Sequence, residues 1–218
     1  RLKGNIMSDY PMPPKTYLNE PSFALHGEKI GDNKSPPAML FRVARNKPKI
    51  VIYLNDANWT KDYGTIFLEF KPIEWNTLLE MILLVANKGT DTSIRLDNID
   101  FKWMGRERSE EKVVVGSVIV GRTPTGVVYL GIDVGGGAPK PKFLFSKSSD
   151  AKYIDINTKE PLDQALLSEL RAKAFVRMVN PILQMFLVSS YKAPKPREQK
   201  DNKYNTNNKQ DTDDDIPY

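Results

Sequence analysis

The chain has 218 residues, no cysteine, a single histidine (His26), and 32 Lys and Arg against 27 Asp and Glu, a net charge of +5. That length suits one domain with tails. The missing cysteines exclude disulfide scaffolds, thiol catalysis and Cys-based zinc sites, and one histidine excludes multi-His metal centres.

The longest apolar run, Met81 to Ala86, is far below the ~20 residues of a membrane span. No signal-peptide pattern opens the chain, so a soluble, cytoplasmic protein is expected, with no membrane partner. Residues 1–38 are rich in proline and polar residues and read as an irregular N-terminal arm. Met7-Ser8-Asp9 reads as a natural initiation site, which would make residues 1–6 tag or upstream residues.

From Met39 the pattern turns to period two. Met39, Phe41 and Val43 alternate with Leu40, Arg42 and Ala44, and Asn46-Lys47-Pro48 supplies a turn. Lys49 to Asn55 forms a second strand with Ile50, Ile52 and Leu54 inward. A loop with Trp59 and Tyr63 follows, then a strand from Thr65 to Phe70 with Ile66, Leu68 and Phe70 inward. Pro72 and Glu74 open a helix that buries Trp75, Leu78, Leu79, Ile82, Val85 and Ala86 and stops at Gly89.

Strands are expected over Ser93–Trp103, broken near Asp97-Asn98, then Glu111–Arg122 and Val127–Val134, with Val128, Leu130 and Ile132 inward. Gly135 to Lys142 is a flexible basic loop. Phe143–Ser146 and Tyr153–Ile156 read as short strands. A helix from Pro161 to about Ser190 lines a broad apolar stripe that includes Leu166, Leu167, Leu170, Ala174, Val179, Leu183 and Phe186, with a kink or break near Pro181. Residues 191–210 form a flexible linker and 211–218 an acidic tip. The architecture is α+β: two antiparallel strand sets, each followed by a helix, over residues 39–190. An OB-fold-like barrel is the alternative.

The tip holds four aspartates, so the rest of the chain carries +9. A basic body suits a polyanion. If the inward residues above face the helices, one outer face carries Arg42, Lys49, Tyr53, Phe67 and Tyr129. Cations interleaved with rings suit single-stranded nucleic acid, whose bases stack while cations follow the phosphates. Trp103, Arg106, Arg108, Lys112, Lys140 and Lys142, beside these strands, complete the expected DNA-binding set. No catalytic residue, metal ligand or cofactor site is expected. Gly135-Gly136-Gly137 before Lys140 lacks Walker spacing. A carboxylate nuclease site with Mg²⁺ at Asp97, Asp100 and Asp133 is the enzymatic alternative, and a transcription cofactor or recombination-mediator module is another.

Asp213-Asp214-Asp215-Ile216-Pro217-Tyr218 resembles the C-terminal tip of bacterial single-stranded DNA-binding (SSB) proteins, Asp-Asp-Asp-Ile-Pro-Phe. The resemblance implies that these six residues bind replication, recombination or repair enzymes. Linker residues 191–210 would give the tip about 25 Å of reach at roughly 5–6 Å × √n. Phe67-Leu68-Glu69-Phe70-Lys71-Pro72-Ile73-Glu74-Trp75-Asn76-Thr77-Leu78 is similar to the strand-to-helix junction of the PC4/Whirly group of single-stranded DNA binders. That likeness implies two strands-plus-helix units and a homo-oligomer, a dimer favoured, paired through helices. Together the two resemblances imply a phage-type SSB acting in the host cytoplasm.

Overall fold

The structure, a computed structural model, describes residues 23–33, 35–56, 58–59, 64–88, 92–104, 107–146 and 151–193, without the side chains of residues 103 and 104. Two antiparallel four-stranded sheets each lead into a helix. Sheet one is β1 (Leu25–His26), β2 (Ala38–Ala44), β3 (Lys47–Tyr53) and β4 (Thr65–Glu69), followed by α1 (Pro72–Asn87). Sheet two is β5 (Ser93–Met104), β6 (Glu107–Arg122), β7 (Val128–Asp133) and β8 (Lys142–Leu144), followed by α2 (Gln164–Ser189). Strands pair in chain order within each sheet, and neither sheet closes on itself. The α+β expectation therefore holds at the level of two antiparallel sheets and two helices, and the barrel alternative is corrected.

Period two placed the core as expected. Ile50, Ile52, Leu54, Ile66, Leu68, Phe70, Val128, Leu130 and Ile132 are all buried. Both sheets and both helices share one apolar cluster. Trp75 sits in its middle, with Phe41 at 5.6 Å and Phe70 at 6.2 Å between ring centroids. Phe175 continues the chain of rings to Phe145 in the segment after β8.

Local chemistry explains the boundaries. β2 and β3 meet at a two-residue turn, Arg45-Asn46, with φ of 54° and 60°. Positive φ at both positions is what a tight hairpin needs, and Asn tolerates it. In α1, Pro72 fixes the first turn and Glu74 Oε2 accepts the Lys71 N–H at 2.7 Å. α2 begins after Pro161 because the Asp163 side chain caps it, accepting the Leu166 N–H at 3.0 Å. Pro181 does not break α2, which runs unbroken to Ser189. Pro181 and Arg177 both lie on its exposed side, where water can serve the carbonyl that proline leaves without a donor.

Three further expectations change. Within the lead-in, Phe23 is buried and Leu25–His26 pairs with β2. Gly27 then bridges Phe143, and the Glu28 N–H donates to the Lys142 carbonyl at 3.2 Å, so the lead-in joins the two sheets. A Cβ on Gly27 would fall 2.7 Å from the Lys142 oxygen and 2.8 Å from Pro37 Cγ. Gly27→Ala should therefore cost about 1–3 kcal/mol by overpacking, read as a lower urea midpoint; an unchanged midpoint would show that this seam gives freely.

Tyr153–Ile156 forms no strand. The Asp155 carboxylate accepts the N–H groups of Asn157 and Thr158, and the turn folds back so that Ile154 bridges Pro161. This Asx chemistry overrides the β propensity of Tyr-Ile-Asp-Ile. The apolar stripe of α2 is also two stripes. Leu167, Ala172, Val176, Val179 and Leu183 are buried, whereas Leu166, Leu170 and Ala174 lie on the exposed side with Met178, Met185 and Val188.

Beyond α2, the chain is fastened back to sheet one. Asn46 Nδ2 donates to the Lys192 carbonyl at 2.7 Å, and the Lys192 N–H donates to Asn46 Oδ1 at 2.9 Å.

Candidate nucleic-acid interface

The register puts one chemically mixed face on the outside of sheet one. Arg42, Lys49 and Glu69 form one row across β2, β3 and β4. Leu40, Val51 and Phe67 form the next, and Ala38, Tyr53 and Thr65 a third. The strand alternation that buries Ile50 and Ile52 against the helices sends these rows outward. Arg42 Nη2 donates to Tyr53 Oη at 3.1 Å, across the row of Val51. Val51 is accordingly buried although it lies on the outer face. Lys49 Nζ is 3.2 Å from Glu69 Oε1 and 4.5 Å from the Phe67 ring centroid. Phe67 remains 50% exposed, the one large ring on this face left open to solvent among the described residues.

Tyr129, expected on that face, belongs to sheet two. Alternation gives the direction of a side chain but not its sheet. Its ring lies on glycine: a Cβ at Gly121 would meet Tyr129 Cζ and Oη at 2.9 Å, and Lys142 Nζ is 5.2 Å from the ring centroid. Around it the charges are paired. Arg95 Nε and Ser117 Oγ both donate to Asp97 Oδ1 at 2.6 Å, and Lys140 Nζ is 2.8 Å from Asp133 Oδ2. The Ser117 bond first, then that from Arg95, holds the Asp97 carboxyl below the usual range. Lys140 first, then the Gly135 N–H, does the same for Asp133.

The outer ends of β5 and β6 form an arm. Its register slips between Asn98 and Ile99, where Val115 is the extra residue, and again between Phe101 and Trp103. Such bulges bend and twist a ribbon. Arg108 and Lys112 lie against Phe101, at 4.1 Å and 5.7 Å from its centroid. Lys102, Arg108 and Lys112 are outnumbered on the described arm by Asp100, Glu107, Glu110 and Glu111. The arm is thus less basic than its expected role suggests. Arg106 and the tip Asp213, Asp214, Asp215, Ile216, Pro217 and Tyr218 lie outside the described residues, as does the Trp103 side chain.

Sequence reasoning did not place Trp59, Lys102 or Arg95 in a site. Trp59 and Lys102 line a groove of about 260 Å³ beside Phe67, between β4, the arm and the loop after β7. Only the pairing of distant strands brings these residues together. The nuclease alternative finds its carboxylates otherwise engaged: Asp97 and Asp133 as above, and Asp100 accepting the Phe101 N–H at 2.8 Å. Among the described residues no three His, Asp or Glu side chains converge to hold a metal, and no helix is long and apolar enough to cross a membrane.

Comparison with protein-family models, curated proteins and solved structures gives no match.

Proposed function

We propose that this chain is a non-enzymatic single-stranded DNA-binding protein that coats its strand with little sequence preference. The observation that carries this reading is the outer face of sheet one, where Arg42 and Lys49 stand among Tyr53 and a half-exposed Phe67. Rings that take base faces and cations that take phosphates are the two elements such binding needs. The Asp213–Tyr218 tip, by its likeness to the bacterial SSB tip, recruits replication, recombination or repair enzymes. The strand-and-helix order supports a PC4/Whirly-like arrangement. In this reading the protein is phage-encoded and works in the host cytoplasm, without cofactor or metal.

The test is a titration of labelled oligothymidylate and of duplex DNA at two salt concentrations. Single strands should bind more tightly than duplex, with log affinity falling by about 0.7 per log unit of salt for each phosphate engaged. Equal affinity for duplex, or no binding at low salt, would sink the proposal.

One observation favours a second reading, an interaction module for which DNA is secondary. Lys49, Arg95 and Lys140 are each matched by a carboxylate, which leaves less free positive charge than the composition suggests. Removing Asp211–Tyr218 separates the two. A DNA-coating protein keeps or gains DNA affinity and loses its enzyme partners; an interaction module has little DNA affinity to keep.

The proposed protein is a homodimer paired through α2. Leu166, Leu170, Met178, Met185 and Val188, 44–79% exposed, supply an apolar stripe along its outer side, and a two-fold axis can lay such a stripe on its own copy. Light scattering should give a dimer for the wild type and a monomer for Met178→Glu with Met185→Glu. A monomeric wild type would remove this part of the proposal.

A further inference from the structure

We propose that the groove beside Phe67 is a slot for one nucleobase of the bound strand, an inference that rests on the single-stranded DNA reading above. The groove is walled by the rings of Phe67 and Trp59 and by the aliphatic side chains of Val115 and Val134. Gly135 and Gly136 line it with backbone alone. Both have positive φ, 65° and 62°, and a Cβ on either would meet nothing within 4 Å. The loop therefore borders open space, and its shape is held by the Gly135 N–H, which donates to Asp133 Oδ1 at 2.9 Å, and by the Ala138 N–H, which donates to the Gly135 carbonyl at 3.1 Å.

Size narrows the occupant. At about 260 Å³ the groove is just below the ~300–1,000 Å³ of pockets that enclose drug-sized ligands. It admits one flat ring system and excludes a stack of several. Charge narrows it further. Lys102 lines the groove, and Lys49 Nζ stands 4.5 Å from the Phe67 centroid. An aromatic, apolar wall bordered by the Lys102 ammonium, with Lys49 beyond Phe67 already shared with Glu69, complements a flat ring that carries a phosphate. An aliphatic ligand would leave Lys102 without a counterpart and the two rings without a stacking partner, and an aliphatic acidic peptide would leave the rings without one.

The slot joins features that otherwise stand apart. Phe67 is on sheet one, Lys102 and Val115 are on the arm of sheet two, and the glycines follow β7. The Val115 bulge, an extra residue in β6, brings that side chain to the groove wall. A base seated here would hold the strand across both sheets.

The experiment uses the full chain and an oligothymidylate carrying a single 5-iodouracil, irradiated with long-wavelength ultraviolet light and mapped by peptide mass spectrometry. Crosslinks are expected at Phe67 or Trp59. Phe67→Leu should lower affinity about tenfold, within the contribution of one base–aromatic stack, and abolish the Phe67 crosslink. Phe67→Trp should keep both. Because Phe67 is half-exposed, each variant should melt as the wild type does.

Crosslinks confined to Tyr53 or Tyr129, with Phe67→Leu binding as the wild type, would overturn the slot and leave the single-strand reading standing. Failure of the wild type to bind oligothymidylate at low salt would overturn the reading beneath it. Loss of the crosslink on adding thymidine monophosphate at micromolar concentration would assign the groove to a free nucleotide and overturn the strand assignment.

Discussion

Replacing Arg122 by alanine is expected to destabilise the fold by about 3 kcal/mol, in the range for hydrogen bonds made by a charged donor. The Arg122 side chain is 6% exposed. Its Nε donates to the Val85 carbonyl at 3.0 Å, and Nη2 to that of Ala86 at 2.7 Å. These carbonyls lie in the last turn of α1, where helix geometry leaves no intrahelical donor. Nη1 donates to the Gly126 carbonyl at 2.7 Å, and Nη2 stands 3.5 Å from Glu169 on α2. One side chain at the end of β6 thus closes α1, the β6–β7 turn and α2 together.

For a chain of this size about 3 kcal/mol corresponds to a fall of roughly 6–12 °C in Tm, readable by circular dichroism. Arg122→Lys should fall between, since an ammonium cannot reach three carbonyls in the planar fork of a guanidinium. A Tm within about 2 °C of wild type for the alanine variant would refute the role. The same cluster has an acid limit. Lys173 first, and Arg122 with it, holds the Glu169 carboxyl below its usual range. A depressed folded-state value gives stability that is present above the unfolded value and lost as pH falls through the folded one. The Glu169 contribution should therefore be complete at neutral pH and disappear below the ordinary glutamate range.

Lys49→Glu should weaken binding of oligothymidylate about 30-fold at low salt and flatten the salt dependence by about 0.7, the share of one phosphate no longer engaged. Position 49 is the middle residue of the three-strand outer-face row nearest the β2–β3 turn, paired across to Arg42 and Glu69. A carboxylate there would stand beside Glu69 and, if the proposed reading holds, repel the phosphates of a strand on this face. Lys152→Glu makes the same charge change on the exposed loop before α2 and should cost less than threefold. Equal losses in both would mean that net charge alone governs binding and that the face has no special part. Stability should change little for the exposed Lys152, whereas Lys49→Glu replaces a part-buried ion pair by two facing carboxylates and should lower the urea midpoint. The two affinities are therefore compared where circular dichroism shows both variants folded.

The inward faces are readable because burial on one side of a strand writes itself into alternate residues. α1 is readable because Pro72, Glu74 and the spacing of Trp75, Leu78, Leu79 and Ile82 agree. The division into two sheets is not readable, since alternation is the same in either. Alternation alone therefore groups Tyr129 with Phe67. Its seat on Gly121 depends on the β6–β7 register, which no local signal carries. Arg122 looks like one more surface cation, because its carbonyl partners on α1 lie 36 and 37 positions back. Leu25–His26 is too short for periodicity to register. α2 carries apolar residues on two sides, so its pattern marks a helix without saying which side meets the core. Of the candidate interface, residue types and outward direction are legible, and adjacency is not.

The clasp between Asn46 and Lys192 gives the molecule a front and a back. Because Lys192 is held at the β2–β3 turn, whatever follows it in the chain departs from one end of the outer face and not from its middle. A strand lying on that face runs toward this point of departure or away from it, and the two directions are not equivalent. Asn46→Ala removes both hydrogen bonds of the clasp and with them that fixed point of departure.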